Sequence, residues 1–119
     1  MKDFRNIKVW EKAHGLTLRI YRESAKFPDS ERYGLVSQVR RTCASIATNI
    51  AEGCGRNGEA ELGRFMEIAA GSASEVEYQL LLARDLCYLP VDAYNELADE
   101  VTEIKRMLSA FVKKLRADR

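Results

Sequence analysis

The feature that most constrains the fold of this 119-residue chain is a run of apolar residues between positions 62 and 87. Its members are separated alternately by four and three residues, a spacing that places all of them on one face of an α-helix. In a half-buried strand, apolar residues would instead recur at every second position. The spacing therefore predicts one long helix over residues 59–89. The members of the run are Leu62, Met66, Ala69, Ala73, Val76, Leu80, Ala83 and Cys87.

Three further segments carry helical spacing, at residues 9–26, 31–52 and 90–116. Pro28 separates the first two because proline disfavours helix in the residue before it, and Pro90 suits the first turn of the last. Four amphipathic helices with short connections predict an all-α fold, an antiparallel up-down-up-down four-helix bundle with a short N-terminal extension. We expect residues 1–119 to form this single domain, because a chain of this length buries a sufficient core.

The glycine-rich stretch at residues 53–58, GCGRNG, matches the G-x-G-x-x-G fingerprint of dinucleotide-binding loops. That loop functions only between a strand and a helix, where it brings the backbone close to a pyrophosphate. Here the preceding residues continue a helical pattern, so we interpret the glycines as the turn between the second and third helices. Gly53 suits the residue just past a helix end, which often adopts the left-handed conformation. No cofactor is expected.

Residue types that support catalysis or metal binding are sparse. His14 is the only histidine, and the three cysteines, Cys43, Cys54 and Cys87, form no C-x-x-C pair of the kind found in zinc sites. The sequence also contains none of the Glu-x-x-His motifs that bind two metals in carboxylate bundles. We therefore expect no enzyme activity, no catalytic residue and no metal.

A seam of polar residues runs beside the apolar face of the second helix. If a turn near residue 58 joins two antiparallel helices, residues at equal distances on either side of it lie side by side. We expect a polar layer that holds the register of the two helices at some cost in stability. The seam consists of Gln38, Arg41, Ser45, Asn49 and Glu52 on the second helix and Arg64, Ser72 and Glu75 on the third. The expected pairs are Glu52 with Arg64, Ser45 with Ser72 or Gly71, and Arg41 with Glu75.

A row of basic residues occupies one face of the first helix. Although the net charge is only +1, residues 1–58 carry eleven Lys or Arg against six Asp or Glu, and residues 59–119 carry eight against twelve. Such a row, repeated around an oligomer, attracts phosphate groups, so we interpret it as a candidate nucleic-acid-binding surface. No aromatic stacking platform accompanies it, so contacts to the nucleic-acid backbone are expected. The candidates are Arg5, Lys8, Lys12, Arg19, Arg22 and Lys26.

Other faces of the helices suggest contacts with proteins rather than nucleic acid. The third helix has a second row that is apolar at its ends and polar in its middle, and the second helix has a row of small residues that allows a close approach. The second row consists of Phe65, Ile68, Leu82 and Leu86 with Ser72, Glu75 and Gln79 between them, and the small residues are Ala44, Ala47 and Ala51. Both indicate self-association or a protein partner.

Acids in the first half of the fourth helix and bases in its second half suit the helix dipole. No apolar run is long enough to cross a bilayer, so we expect a cytoplasmic protein without membrane contact.

Three stretches of the sequence resemble a known protein family. They are Phe27-Pro28 followed by Glu31-Arg32-Tyr33-Gly34-Leu35, then QVRRTCASIATNIAEG at residues 38–53, and FMEIAAGSASEVEYQLLLARDLCYL at residues 65–89. Over nearly the full chain, the sequence resembles the four-helix-bundle proteins encoded within intervening sequences of bacterial 23S rRNA genes.

The resemblance implies a specific assembly but no established activity. It implies an antiparallel four-helix bundle that forms a ring-like homopentamer. It also implies similarity to the accessory variability determinant of diversity-generating retroelements, a basic pentamer that engages a reverse transcriptase and nucleic acid. Two functions remain open: an oligomeric scaffold that binds RNA or another nucleic acid, and a protein–protein adaptor without direct nucleic-acid binding.

Overall fold

Four α-helices form most of the computed structural model, which describes residues 2–118. They are α1 (Lys8–Ser24), α2 (Ser37–Cys54), α3 (Glu59–Asp85) and α4 (Val91–Ala117), and the described residues contain no strand. Each helix packs against the next one in the chain, and α1 also packs against α4, so the four enclose one core. The predicted all-α four-helix bundle is confirmed.

Contacts between side chains show that neighbouring helices run in opposite directions. In each pair of helices, residue numbers rise along one helix as those of the contacted residues fall along the other. The hydrogen bonds and ion pairs that show this are Ser45–Ser72 and Thr42–Gln79 between α2 and α3, Glu67–Arg116 and Glu77–Lys105 between α3 and α4, Lys12–Glu103 and Arg19–Glu96 between α1 and α4, and Thr17–Cys43 and Ser24–Arg40 between α1 and α2.

The core consists of one apolar row from each helix. The row that predicted α3 is buried from Leu62 to Ala83, although Cys87 at its end is exposed. Full burial of a Leu, Ile or Met side chain contributes about 1.5–3 kcal/mol, so these rows dominate the stability of the bundle. Among residues 2–118, no helix is long and apolar enough to cross a membrane.

Two helix boundaries differ from the prediction by more than two residues. The second helix begins at Ser37 rather than at residue 31, because a 3₁₀ turn and a short π-helix precede it and the backbone of Gly34 leaves helical geometry (φ −110°, ψ −113°). The third helix ends at Asp85 rather than at residue 89. Cys87 has a φ of 65°, and the N–H of Tyr88 turns back to donate to the carbonyl of Ala83, which satisfies one of the last orphan carbonyls.

The glycine-rich turn between α2 and α3 also differs in detail. Helix α2 continues to Cys54, so Gly53 lies inside it, and the expectation that Gly53 follows the helix end is wrong. A Cβ atom on Gly53 would lie 2.8 Å from the Cβ of Phe65, so the close approach of α3 requires glycine there. Gly58, with a φ of 91°, makes the turn into α3.

Candidate functional site

The basic row of α1 faces the acidic half of α4. The Nζ of Lys12 lies 3.0 Å from Glu103 Oε1. The guanidinium of Arg19 lies 3.1 Å from Glu96 Oε1 and 2.8 Å from Glu100 Oε2. This pairing arises because the antiparallel arrangement sets the basic row of α1 against the first half of α4. The acids of α4 therefore neutralise two of the six candidate residues, a role that the helix-dipole interpretation did not include.

The other four residues of the basic row lie outside the contact with α4. Arg5 pairs with Asp3 at 3.2 Å and Lys26 with Glu23 at 3.4 Å. Exposed pairs of this kind contribute about 0–1 kcal/mol, so both cations stay accessible to a phosphate. Within the described part of the chain, the two residues of the row that have no ion-pair partner are Lys8 and Arg22.

One of the three expected pairs of the polar seam is present. The hydroxyl of Ser45 donates to the Oγ of Ser72 at 2.7 Å, so the predicted contact between these residues is confirmed. The expected ion pair of Glu52 with Arg64 does not form, although the hydrogen bond to Glu61 and, after it, the charge of Glu52 raise the pKa of Arg64. Glu52 instead pairs with Arg56 at 2.9 Å, and Arg64 pairs with Glu61 at 3.0 Å. Each finds a partner about one turn away on the outside of the helices, where such local pairs form readily.

The pair of Arg41 with Glu75 is also wrong, because Arg41 donates to the Oγ of Ser37 at 3.0 Å. Thr42 occupies the expected place instead. Its hydroxyl donates to Glu75 Oε2 at 3.4 Å and accepts from Gln79 Nε2 at 3.4 Å. The predicted seam contained neither Thr42 nor Gln79.

The correct seam was visible as a spacing of four and three residues on α2. That spacing joins Gln38, Thr42, Ser45 and Asn49, whereas the predicted seam took Arg41 in place of Thr42, one position earlier and about 100° around the helix. Asn49 donates to the backbone carbonyl of Ser45 at 2.8 Å, and Gln38 is exposed. The seam is thus a short polar layer between α2 and α3. It contains no pair of oppositely charged residues among those described.

His14 and the cysteines lie apart from one another. The ring of His14 stacks on Trp10, with centroids 5.0 Å apart and planes inclined by 6°. Burial raises the pKa of the Cys43 thiol to about 11, and burial also raises the pKa of Cys54. Cys87 is exposed. In the part of the chain that the structure describes, no three His, Cys, Asp or Glu residues are grouped so as to hold a metal.

A second basic site, which sequence reasoning missed, lies where α1 connects to α2. Arg32 and Arg40 line one open pocket of 220 Å³ there, together with Asp29 and Ser24. Arg32 belongs to the irregular segment before α2 and Arg40 to α2 itself. Because the two residues share no helical face, periodicity alone does not unite them. The next residue, Tyr33, is 91% exposed, so an aromatic surface does accompany basic residues in this region.

The outer face of α3 carries apolar side chains that remain in solvent. Ile68 is 40% exposed, Tyr78 is 60% exposed and Leu86 is 44% exposed, and Leu82 between the last two is half-buried. We call these four residues the outer row of α3. The second apolar row noted in the sequence contains three of them with Phe65, which is buried instead. Tyr78 was not part of that prediction.

Comparisons with known proteins agree with the resemblance found in the sequence. A family model described as 23S rRNA-intervening sequence protein matches residues 5–110. The fold is similar to the crystal structure of a protein of unknown function from the S23 ribosomal protein family of Bacteroides thetaiotaomicron VPI-5482. The TM-score is 0.82 and the sequence identity 25%, over 88% of this chain and 95% of that chain. No curated protein sequence matches this chain.

Proposed function

This chain belongs to the 23S rRNA-intervening sequence protein family, and we propose that it is a non-enzymatic cytoplasmic scaffold that self-associates and binds nucleic acid. The assembly that we propose is the homopentamer implied by the family resemblance. The observation that carries the proposal is the outer row of α3, because it leaves an apolar surface without a covering element. The nucleic-acid contact is proposed for the basic residues that α4 leaves accessible.

The outer row of α3 is suited to contact a second copy of the chain. From Ile68 to Leu86 it extends about 27 Å along the helix at 1.5 Å per residue. Single exposed apolar residues are common on soluble proteins, whereas several on one face mark a contact surface. The exposed residue Gly71 lies on the same side of the helix, and its missing side chain permits a close approach. Burial of each large side chain contributes up to about 1.5–3 kcal/mol.

A matched pair of tyrosines tests this surface. Tyr78→Asp places a charge in the outer row of α3, and Tyr33→Asp places the same charge at a tyrosine that is even more exposed but lies between α1 and α2. We expect Tyr78→Asp to lower the mass measured by light scattering, because burial of an unpaired carboxylate is costly. Tyr33→Asp should keep the mass of the unaltered protein. Equal masses for both variants would remove the outer row from the interface.

The nucleic-acid part of the proposal rests on the accessible members of the basic row. Lys8 and Arg22 are exposed, and copies around a ring multiply their charge. We expect Lys8→Glu combined with Arg22→Glu to weaken RNA binding. It should also flatten the dependence of log affinity on log salt concentration by about 0.7 for each lost contact with a single strand.

The control for that variant is a double charge reversal on α4. Arg106→Glu combined with Lys113→Glu changes the net charge equally at two exposed residues. Affinity and salt slope are measured for both variants with a labelled single-stranded RNA. Equal losses in the two variants would show only a general effect of charge. No loss in either would contradict nucleic-acid binding through α1.

The absence of enzymatic activity is part of the proposal. It is supported by the surroundings of the residues that most often act in catalysis. His14 stacks on Trp10, and the raised pKa of Cys43, about 11, keeps its thiol protonated near neutral pH. Neither arrangement resembles a nucleophile beside its general base.

A protein–protein adaptor is the second candidate, and a groove between α1 and α2 favours it. The groove has a volume of 370 Å³, and Trp10, Ala44, Ala47 and Ala51 are among its lining residues. Small side chains of this kind allow another helix to pack closely. Purification of the chain with one stoichiometric protein partner and without nucleic acid would favour the adaptor over the scaffold.

A further inference from the structure

We propose that the pocket between α1 and α2 binds a phosphate group of single-stranded RNA and that Tyr33 stacks on a neighbouring base. This inference rests on the nucleic-acid binding proposed above and adds to it a second contact, made by residues outside the basic row of α1. The basic row of α1 is partly neutralised by α4, whereas neither arginine of the pocket has a carboxylate partner among the described residues.

Arg40 is held in place by neutral groups. Its Nε donates to Ser24 Oγ at 2.8 Å, one of its Nη atoms donates to the carbonyl of Tyr21 at 3.0 Å, and its guanidinium lies 4.7 Å from the centre of the Tyr21 ring. A guanidinium has five N–H donors, and residues 2–118 provide acceptors for only these two bonds. The remaining N–H groups of the Arg40 guanidinium can therefore donate to an anion, and the side chain loses no further conformational entropy when they do.

Arg32 supplies a second charge to the same pocket. Its side chain is exposed and donates no hydrogen bond to another described residue, while its backbone N–H donates to the carbonyl of Asp29. Two arginines about one pocket suit the oxygens of a phosphate, because each guanidinium presents its N–H groups as a planar fork. Asp29 also lines the pocket and opposes an anion, while the nearby Glu23 is paired with Lys26.

Tyr33 favours a single-stranded nucleic acid such as RNA over phosphate-bearing ligands that carry no base. Its Cα lies about 3.8 Å from that of Arg32, and its ring is almost entirely in solvent. An exposed aromatic residue that adjoins a basic residue in sequence suits unpaired bases, which stack on the ring while the nucleic-acid backbone follows the positive charge. A phospholipid headgroup carries no aromatic ring that could stack on Tyr33.

The segment that presents Tyr33 is anchored on both sides. Glu31 Oε1 accepts from the N–H of Leu35 at 3.1 Å, and Glu31 Oε2 accepts from the hydroxyl of Tyr88 at 2.9 Å. The ring of Tyr88 in turn packs against Phe27. These contacts fix the backbone that carries Arg32 and Tyr33, which lowers the cost of ordering the site when a ligand binds.

The test is the affinity of the full chain for a labelled single-stranded RNA, measured by fluorescence anisotropy. We expect Arg32→Gln to weaken binding roughly tenfold, as the loss of a charge-assisted hydrogen bond does. Asp29→Asn should tighten binding, because it removes the opposing charge. Tyr33→Leu should weaken binding to the single strand by roughly fivefold or more and leave binding to a duplex of equal length unchanged. Tyr33→Phe, which keeps the ring, should bind the single strand as the unaltered protein does.

Different results separate this inference from the proposed function. If the unaltered protein binds no RNA, both fail. If it binds RNA and neither Arg32→Gln nor Asp29→Asn changes the affinity, the pocket assignment fails while the proposed function stands. If Arg32→Gln abolishes binding to phosphatidylserine vesicles but leaves RNA affinity intact, the pocket is a lipid site and the inference is overturned. The control is Arg106→Gln on α4, which removes the same single positive charge as Arg32→Gln at a residue outside the pocket.

Discussion

The contact between α2 and α3 at Gly53 leads to a prediction about two glycines that behave in opposite ways. Gly53 and Gly15 both lie inside α-helices. A Cβ atom on Gly53 would lie 2.8 Å from Phe65 Cβ and 3.3 Å from Leu62 Cδ1, whereas a Cβ atom on Gly15 would meet nothing within 4 Å. The two alanine variants therefore differ in packing while sharing the same change in helix propensity.

The expected magnitudes follow from these distances. Alanine inside a helix is favoured over glycine by about 1 kcal/mol, so Gly15→Ala should raise the free energy of unfolding by about that amount. At Gly53 the same gain is opposed by overpacking, which costs about 1–3 kcal/mol. The Cβ of Phe65 cannot rotate away, because it is fixed to the backbone of α3. Gly53→Ala should therefore be about 2 kcal/mol less stable than Gly15→Ala.

Urea unfolding followed by circular dichroism measures this difference. Both variants need the same protein concentration, because the stability of an oligomer depends on it. A lowered midpoint for Gly53→Ala with a raised midpoint for Gly15→Ala is the expected result. If Gly53→Ala stabilises the protein as much as Gly15→Ala, the two helices are not in close contact at Gly53 and the reasoning is refuted.

Further predictions concern the polar layer, the cysteines and the contact with α4. A double-mutant cycle of Ser45→Ala and Ser72→Ala should show a coupling of about 1 kcal/mol in urea unfolding, and additive losses would contradict a hydrogen bond. A thiol reagent at pH 8 should modify Cys87 in the folded protein and leave Cys43 protected, as mass spectrometry of digested protein would show. The folded-state pKa of Cys43 is raised from 9.0 to about 11, so its contribution to stability should be complete below pH 9 and decline between pH 9 and 11. Urea midpoints measured against pH should show this decline, and Cys43→Ala should lack it. Arg19→Gln should cost about 1 kcal/mol in low salt and less in 1 M salt, and an equal cost in both would contradict an electrostatic contact.

The helices were well predicted because residues on the buried face of a helix recur every three or four positions. The row from Leu62 to Ala83 is apolar because α3 faces the core along that length, so spacing alone identified the helix and its buried face. The beginning of α2 depended instead on tertiary structure. Glu31 lies inside the irregular segment that precedes α2 and contacts Tyr88, a residue that is remote in sequence and that no local pattern connects to it.

The sites were harder to predict because periodicity shows which residues share a face but not what lies opposite. The bases Lys12 and Arg19 were correctly placed together on α1, yet their acidic partners come from α4 at the far end of the chain. In the polar layer, Arg41 was chosen instead of Thr42. An error of one residue rotates a helical position by about 100°, enough to move a side chain from the contact with α3 to solvent.

The central claim, that this bundle is a self-associating scaffold, is tested most directly by the absolute mass of the unaltered protein in solution. Light scattering over a range of concentrations determines that mass without assumptions about shape. The outer row of α3 and the family resemblance predict a mass near five times the 13.5 kDa of one chain. A mass of 13.5 kDa at every concentration would contradict the claim.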